Sequence, residues 1–424
     1  MNKSRYVAAT ALQKVTSDGG YSNIVLNSVL KKADLSKEDT ALCTNIFYGT
    51  LDRMVTVDYY LKSLIKTPLK KLKPFTLAVM RTAVYQIKYL EKIPHSAVVN
   101  EAVNLIKASP ERYNASFVNA VLRNLLRSDI PLPSGDDVKS VSVNYSCPEP
   151  ITAVLMRDLG ARQATEFLKN ALKTPPIFAA INTNAISKGE FKEAMLHENI
   201  EAEATASEFV YKINTTGSLE NTQAYKNGWF FVQDISCRQA IEMLKIGQTS
   251  RVLDLCAAPG GKSFAAALIA NGGEVVSCDL YEQRVSLIKK GAKRLGIDNI
   301  ICKTADATRF YPEFGEFDRI ICDVPCSGLG VLRRKPDIKY KALSDFKELA
   351  EIQLKILDNA AGYLKPGGKL LYSTCTLNAE ENGENVRSFL KTHTDWILET
   401  EHTFLPSENN GDGFYAAVLC RKSL

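Results

Sequence analysis

The sequence lacks any apolar run that approaches the roughly 20 residues needed for a helix to cross a bilayer. The N-terminal stretch MNKSRYVAATALQKV also lacks the continuous apolar segment of a secretory signal, because charged and polar residues interrupt it at helical spacing. We therefore expect a cytoplasmic protein. Its length of 424 residues, 45% of them hydrophobic, predicts two or three domains with sizeable cores.

The chain also lacks CxxC pairs, although it has ten cysteines, and it has only four histidines. Most of the cysteines lie in apolar runs, where a thiol behaves as a small hydrophobic group. This pattern argues against a zinc site and against a disulfide framework, so we expect no metal. No histidine lies in a motif, which leaves a cysteine–histidine hydrolase without a visible base.

Positive charge is concentrated in the first third of the chain. Residues 1–130 carry 19 Lys and Arg against 10 Asp and Glu, a net of +9, and the chain total of +6 leaves −3 for residues 131–424. This asymmetry is typical of a polyanion-docking module joined to a catalytic one. Solubilising lysines on helix surfaces would give the same charge, and both interpretations stay open.

Three regions with different periodicity follow one another along the chain. Apolar residues recur at intervals of three and four over residues 1–130, which predicts an all-α domain. The Pro/Gly/Asp-rich stretch DIPLPSGDD at 129–137 predicts a linker. Helix and strand patterns mix over 138–235, where we predict a small α/β subdomain.

Regular alternation of strands and helices begins at residue 236 and predicts an α/β Rossmann-like domain over 236–424. The strands read RVLDLCA, EVVSCDL, NIICKTAD, FDRIICDVP and GKLLYSTC. Continuous Val, Ile and Leu runs between helices are typical of a parallel sheet covered on both faces. The turn-rich stretch PSENNGDG between two later apolar segments predicts a final hairpin at the sheet edge.

The first of these strands ends in a glycine loop, VLDLCAAPGGKS, that predicts a nucleoside site. A phosphate-binding P-loop is excluded, because Cys256 stands where that motif requires glycine. In a doubly wound sheet, such glycines let the backbone approach a ligand, and an acid ending the second strand takes ribose hydroxyls. Asp279, 19 residues after Gly260, fits that role, and Asp306 ends the third strand. The absence of GxGxxG favours a mononucleoside such as S-adenosylmethionine over a dinucleotide.

Two later strands end in residues suited to chemistry on an electrophilic ring. Asp323 and Cys326 follow the strand FDRIICD, and Cys375 ends GGKLLYSTC. Methylation of cytosine at C5 needs a thiolate that adds to C6, an acid that supports N3 and a base that removes the C5 proton. Asp323, Cys326 and Cys375 are the required types. A helix predicted over 380–391, or the sulfonium of the cofactor, would activate Cys375.

The motifs LCAAPGGKS, DVPCSGLG and YSTCTLNAEEN resemble those of the RNA cytosine-5 methyltransferases of the NOL1/NOP2/Sun (Fmu) family. The resemblance implies that Cys375 is the nucleophile, that Cys326 assists proton removal and product release, and that Asp323 contacts the cytosine near the cofactor. DNA cytosine methyltransferases use the Pro-Cys cysteine as nucleophile and have no second one, so the later cysteine favours RNA. The implied cofactor-binding residues are Cys256, Ala257, Ala258, Pro259, Gly260, Gly261, Lys262, Asp279, Asp306 and Asp323.

The helical N-terminus resembles the NusB-like RNA-binding domain in the stretches YSNIVLNSVL, IFYGTLDR and NASFVNAVLRNLLR. Together the two resemblances imply a class I S-adenosylmethionine-dependent methyltransferase of bacterial 16S ribosomal RNA that acts before the small subunit is fully assembled. They also make Arg53, Arg81, Arg123 and Arg127 candidates for phosphate contact.

Three adjacent cations, Arg333, Arg334 and Lys335, follow Cys326 and are interpreted as a phosphate clamp for the incoming RNA. The target cytosine must leave its stack to meet a thiolate. Two alternatives stay open: a transfer RNA cytosine-5 methyltransferase, which shares the catalytic motifs, and an RNA-binding or antitermination factor with a vestigial methyltransferase domain. Oligomeric state cannot be read from the sequence.

Overall fold

The computed structural model of the protein describes residues 2–18, 22–215, 217–406 and 411–422. No helix within these ranges is long and apolar enough to cross a membrane.

The chain forms two compact units. The first contains Met1–Leu172 together with the short segment Lys335–Lys341, and the second contains Lys173–Arg334 and Ala342–Leu424. Each unit has buried apolar clusters of its own.

The first unit is helical, as the periodicity of its sequence predicts. The Ser36 side chain accepts a hydrogen bond from the backbone N–H of Asp39, and Asp137 caps a later helix in the same way. The all-helical prediction is confirmed. In the described part of this unit the helices are α1 (Lys3–Asp18), α2 (Ser22–Ala33), α3 (Lys37–Asp52), α4 (Met54–Leu64), α5 (Pro74–Tyr89), α6 (His95–Lys107), α7 (Ala115–Arg127), α8 (Val138–Asn144), α9 (Glu149–Leu159) and α10 (Ala161–Ala171).

The segment Lys335–Lys341 belongs to this helical unit although the residues on either side of it belong to the second unit. The ammonium of Lys339 is fully buried, 2.6 Å from Asp52 Oδ1 and 3.2 Å from the Asp52 carbonyl oxygen. Tyr340 donates its hydroxyl to the Leu51 carbonyl oxygen at 2.9 Å. The segment is thus held at the C-terminal end of α3, where the helix dipole favours a cation.

The second unit begins with a small antiparallel sheet whose strand order is β2-β3-β1-β4. Buried Asn182 donates its amide to the carbonyl oxygens of Gly228 and Leu295, at 2.9 and 2.6 Å, and so ties the sheet to a later helix. The elements are β1 (Ile177–Ile181), α11 (Lys188–His197), β2 (Glu201–Ala204), β3 (Val210–Asn214), α12 (Gln223–Lys226) and β4 (Phe230–Val232).

A seven-stranded sheet with the order β10-β11-β9-β8-β5-β6-β7 forms the rest of this unit. Strands from β9 to β7 pair in parallel, whereas β11 is antiparallel to both of its neighbours. The elements are α13 (Ile235–Met243), β5 (Arg251–Asp254), α14 (Gly261–Ile269), β6 (Glu274–Asp279), α15 (Glu282–Leu295), β7 (Ile300–Thr304), β8 (Phe317–Asp323), α16 (Ser344–Ala361), β9 (Leu364–Thr374), α17 (Gly383–Thr392), β10 (Trp396–Phe404) and β11 (Phe414–Arg421).

Both faces of the central strands of the large sheet are buried, and successive residues of a strand point to opposite faces. Val252 and Ile321 belong to one core cluster, and their neighbours Leu253 and Ile320 belong to the other. This explains why the central strands read as continuous apolar runs. The predicted Rossmann-like domain is confirmed.

The predicted final hairpin is confirmed: β10 and β11 pair at one edge of the sheet, and the inner strand β11 is antiparallel to β9. Residues 407–410 of the predicted turn lie outside the described residues. The helix predicted over 380–391 begins only at Gly383, after a single 3-10 turn.

The two-unit division runs through the region predicted as one subdomain over 138–235. Its helices up to residue 172 belong to the helical unit, and its sheet belongs to the unit that contains the large sheet. The boundaries near residues 130 and 235 therefore stay predictions.

The buried ion pair of Lys339 predicts a difference between two substitutions. Asp52→Ala leaves a buried ammonium without its carboxylate and lowers the stability of the helical unit by about 3 kcal/mol, the lower end for a broken buried pair because Asp52 is partly exposed. Lys339→Met removes the charge itself and costs much less. Urea unfolding followed by far-UV circular dichroism measures both, and equal losses would contradict a buried-charge effect.

Candidate active site

Two cysteines meet at the carboxyl ends of neighbouring strands. Asp323 ends β8 opposite Ser373 of β9, so the loops that follow the two strands start side by side. These loops bring the Sγ atoms of Cys326 and Cys375 to 3.3 Å, a hydrogen-bond contact and not a disulfide bond. The structure thus brings together the three residues that the sequence predicted for catalysis.

The contact between the two sulfur atoms determines where their proton lies. The hydrogen bond with Cys375, burial, and the charges of Glu381 and Asp323 raise the pKa of Cys326 well above its usual value. Either sulfur could donate in this contact, and the raised pKa of Cys326 favours Cys326 as the donor to Cys375. A donor directed at a sulfur favours negative charge there, which is the form of cysteine that acts as a nucleophile.

A partly buried ion pair lies beside the cysteines. The Lys262 Nζ atom is 2.7 Å from Asp323 Oδ2, and Ser373 donates its hydroxyl to Asp323 Oδ1 at 3.0 Å. Burial alone would lower the pKa of Lys262, but the Asp323 carboxylate outweighs it and raises that pKa above its usual value. The ammonium also lies 4.9 Å from the centre of the Phe414 ring. The site therefore holds a permanently charged donor next to a carboxylate.

A buried carboxylate, Glu381, fixes the two cysteine loops to each other. One of its oxygens accepts the Ser327 backbone N–H at 2.8 Å and the Gln353 amide at 2.9 Å. The other accepts the Ser327 hydroxyl and the Asn378 amide, and Ser327 also bonds the Thr376 hydroxyl at 2.7 Å. Sequence reasoning missed Glu381. The signal that could have found it is an acid three residues after Asn378 in the motif NAEEN, at the start of a helical turn.

Close backbone contact explains why position 330, the last residue of the DVPCSGLG motif, is a glycine. The N–H of Gly330 donates to the Cys375 carbonyl oxygen at 3.0 Å, and the N–H of Gly413 donates to the Gly330 carbonyl oxygen at 2.9 Å. A Cβ atom on Gly330 would lie 1.9 Å from the Gly413 carbonyl oxygen. Three segments of the site meet here, and a side chain at position 330 would separate them.

The predicted cofactor loop lies between β5 and α14. Gly260, the residue before the helix, has φ = +118°, and a Cβ atom there would lie 2.4 Å from the Phe264 ring, so the position requires glycine. The N–H of Ala258 donates to Asp279 Oδ2 at 3.2 Å, which connects the loop to the end of β6. The loop therefore approaches the end of the neighbouring strand, as the nucleoside-site prediction requires.

Acids end the successive strands of the sheet, as the sequence predicted. Asp279 ends β6, and Asp306 follows β7, where its side chain accepts the N–H and hydroxyl of Thr308 at 2.9 and 2.7 Å. These hydrogen bonds lower the pKa of Asp306, which keeps it a carboxylate. A nucleoside across the ends of β5, β6 and β7 would meet acceptors for its hydroxyl and amino groups.

A buried carboxylate oxygen at the end of β5 indicates a ligand with a positive group. Asp254, at the end of β5, accepts the Ser263 hydroxyl with Oδ2 at 2.7 Å, whereas its buried Oδ1 has no partner among the described residues. Burial raises the pKa of Asp254 to about 7, so a nearby cation would stabilise the charged form. The residues present thus fit S-adenosylmethionine, which carries both a nucleoside and an ammonium group.

Other thiols of the unit are held protonated by burial. Burial raises the pKa of Cys237 to about 12 and raises that of Cys256, in the cofactor loop, well above its usual value. Cys256 is therefore suited to packing, and it would serve a cofactor only through its backbone.

The predicted phosphate clamp has carboxylate partners within the protein. The Arg333 side chain is only 5% exposed, and its Nε atom lies 2.7 Å from Asp412 Oδ1. Arg334 pairs with Asp412 and, at 3.1 Å, with Asp234. These ion pairs give both arginines a structural role, and exposed Lys335 belongs to the helical unit. Contact of the three residues with RNA stays a prediction.

Two of the four phosphate-contact candidates of the helical unit, Arg53 and Arg81, also have partners there. Arg81 forms a bidentate pair with Asp58 at 2.8 and 2.7 Å, and Arg53 lies over the Tyr89 ring at 4.9 Å from its centre. These contacts account for both arginines without RNA.

Comparison with known proteins places each part of the chain in a family. The model of the NusB family matches residues 2–127, and the model described as 16S rRNA methyltransferase RsmB/F matches residues 241–420. A crystal structure described as PH0851 has a TM-score of 0.81 at 23% identity, covering 99% of this chain and 98% of that one. The structure of NSun6 from Pyrococcus horikoshii with SFG has a TM-score of 0.59 at 20% identity, covering 65% and 98%. These two structures support the fold alone.

A curated relative extends the match over most of the chain. The probable ribosomal RNA small subunit methyltransferase B of Bacillus subtilis (strain 168) is 39% identical over 399 residues, which cover 92% of this chain and 89% of the relative. The resemblance inferred from the motifs is thereby confirmed. The chain belongs to the ribosomal RNA small subunit methyltransferase B family, S-adenosylmethionine-dependent enzymes that join a NusB domain to a methyltransferase domain.

Proposed function

We propose that this protein transfers a methyl group to C5 of a cytosine in 16S ribosomal RNA through a covalent bond between Cys375 and C6, in the cytoplasm and before the small subunit is fully assembled. The observation that carries the proposal is the 3.3 Å contact between the Cys326 and Cys375 sulfur atoms, beside the Lys262–Asp323 ion pair. A single nucleophilic cysteine would not need a second thiol at hydrogen-bond distance.

The first step forms the bond between Cys375 Sγ and C6. The electron pair of the C5–C6 double bond shifts towards N3 and O2 as the thiolate adds. The buried ammonium of Lys262 stabilises the negative charge that develops on these two atoms. Asp323 holds that ammonium in place and accepts from the cytosine amino group. Addition converts C5 into an enamine-type carbon that can take a methyl group.

When bound, S-adenosylmethionine would supply the methyl group that C5 takes, with its sulfonium sulfur as the leaving group. It would be held by Cys256 to Lys262, Asp279, Asp306 and Asp323, which end or follow neighbouring strands. Removal of the C5 proton then returns the C6–S electron pair to Cys375 and restores the double bond.

Cys326 is suited to the last step because its protonation depends on Cys375. The hydrogen bond with Cys375 is the largest cause of the raised pKa of Cys326. When Cys375 is bonded to C6, its sulfur no longer carries the negative charge that holds the proton on Cys326. Cys326 can then lose that proton to water and accept the one from C5. The same contact therefore keeps Cys326 protonated before the adduct forms and lets it act as a base afterwards.

The target RNA is tested by bisulfite sequencing of total RNA from cells with and without the protein. A cytosine of 16S RNA that resists conversion only when the protein is present supports the proposal, whereas a protected transfer RNA site supports the transfer RNA alternative. Incubation of RNA with a radioactive methyl donor tests the vestigial alternative, which requires that no label is transferred.

Substitutions of the two cysteines are expected to have opposite effects on the covalent RNA–protein complex seen on a denaturing gel. Cys375→Ala lowers methylation about a thousandfold or more, because no adduct can form. Cys326→Ala still forms the adduct but releases it slowly, so an RNA–protein complex that resists detergent accumulates. Labelled 16S RNA with the cofactor present measures both.

Two further variants serve as controls for this experiment. The double variant Cys326→Ala/Cys375→Ala lacks the nucleophile and shows no complex. Cys420→Ala, which lies on the last strand outside the site, behaves as the parent protein. A trapped complex in Cys375→Ala, or normal methylation by that variant, would rule out the proposed nucleophile.

The Glu381 network predicts a loss of rate without a loss of cofactor affinity. In Glu381→Gln an amide donor faces the groups that now donate to a carboxylate, so buried bonds to Ser327 are lost and the cysteine loops separate. We expect methylation to fall by about ten- to a hundredfold. Isothermal titration with S-adenosylhomocysteine should show unchanged affinity. The exposed Glu384→Gln is the matched control, and equal rates in both variants would refute the positioning role.

A further inference from the structure

A buried glutamine in the second unit has no hydrogen-bond partner for its side chain. Gln233 follows β4 and is 5% exposed, and neither its Nε2 nor its Oε1 atom has a partner among the described residues. Gln353, which is also buried, bonds at both ends: it donates to the carbonyl oxygen of Pro325 and accepts from Tyr372 and Asn385. A buried amide without partners is destabilising, so a ligand is the simplest reason for its presence.

The orphaned amide lies at the start of α14. Its Nε2 atom is 3.5 Å from the position that a Cβ atom would take on Gly261, the first residue of that helix. Gly260, the residue before the helix, makes no side-chain cap, so the first N–H groups of α14 point towards whatever lies there.

A second orphaned atom flanks the same helical turn. Ser263 of α14 donates to one oxygen of Asp254, and the other buried oxygen of Asp254 has no partner in the described part of the chain. One turn of helix is thus bordered by an unpaired amide donor, an unpaired amide acceptor and an unpaired carboxylate oxygen. Groups of this kind complement a ligand that carries both an anion and a cation.

We propose that Gln233 binds the amino-acid end of S-adenosylmethionine, donating from Nε2 to the α-carboxylate and accepting at Oε1 from the α-ammonium. The helix N-terminus adds N–H groups and a positive dipole for the carboxylate, and the unpaired oxygen of Asp254 adds an acceptor for the ammonium. The inference rests on the cofactor dependence of the family and not on the cysteine mechanism.

The cytosine is the other ligand whose edge could bond an amide. It is disfavoured because cytosine has no cationic group for Asp254 and no anionic group for the start of α14. The zwitterion supplies both.

The test compares two ligands that differ only in the amino-acid part. S-adenosylhomocysteine contains it, and 5′-methylthioadenosine has the same nucleoside and thioether without it. By isothermal titration without RNA, Gln233→Met weakens binding of S-adenosylhomocysteine by about tenfold or more and leaves that of 5′-methylthioadenosine unchanged. Unchanged binding of the second ligand also shows that the pocket is intact.

A charge-altering variant gives a second readout. Gln233→Glu places a carboxylate near the α-carboxylate, so it weakens binding of S-adenosylhomocysteine. The same variant strengthens binding of decarboxylated S-adenosylhomocysteine, which keeps the amine and lacks the α-carboxylate. Loss of 5′-methylthioadenosine binding in both variants, or unchanged S-adenosylhomocysteine affinity in both, overturns the inference. Because no RNA and no cysteine chemistry are involved, this outcome is independent of whether Cys375 is the nucleophile.

Discussion

The parallel pairing of β8 with β9 is the constraint on which the site depends. Because parallel neighbours end at the same edge of a sheet, Asp323 and the two cysteine loops start from adjacent positions. Pairing fixes only where the loops begin. Glu381 bonds donors from both loops, and the contact of Gly330 with Gly413 adds a third segment. The 3.3 Å separation of the thiols is therefore a property of the sheet and of a buried polar network together.

Charge in the site is arranged so that each group controls the protonation of its neighbour. Asp323 keeps Lys262 protonated in a place where burial alone would favour the neutral amine. The contact with Cys375 raises the pKa of Cys326, and in the proposed mechanism that influence ends when Cys375 becomes bonded to carbon. A low-dielectric site strengthens both effects. The chemistry proposed for the family thus follows from pairs of groups and not from any single residue.

Several charged residues that follow Cys326 in the sequence have carboxylate partners within the protein. Arg333 and Arg334 meet Asp412 and Asp234, and Lys339 is buried against Asp52 in the helical unit. The chain after Cys326 therefore leaves the second unit, enters the first over seven residues and returns. The sequence predicts the cluster of Arg333, Arg334 and Lys335 as one RNA-contact surface. In the structure its members have different surroundings.

The sequence by itself determined the element types, the doubly wound domain and the chemical character of the site. Helical and strand periodicity are local properties, and strand ends carry the acids and cysteines whatever the packing. Only the tertiary structure decided which charges are compensated and which buried groups lack partners. Arg333 and Asp412 are 79 residues apart. Gln233 meets α14 because β4 packs against that helix through the Phe231 and Phe264 rings. Such pairings depend on contacts between distant segments, which no local pattern encodes.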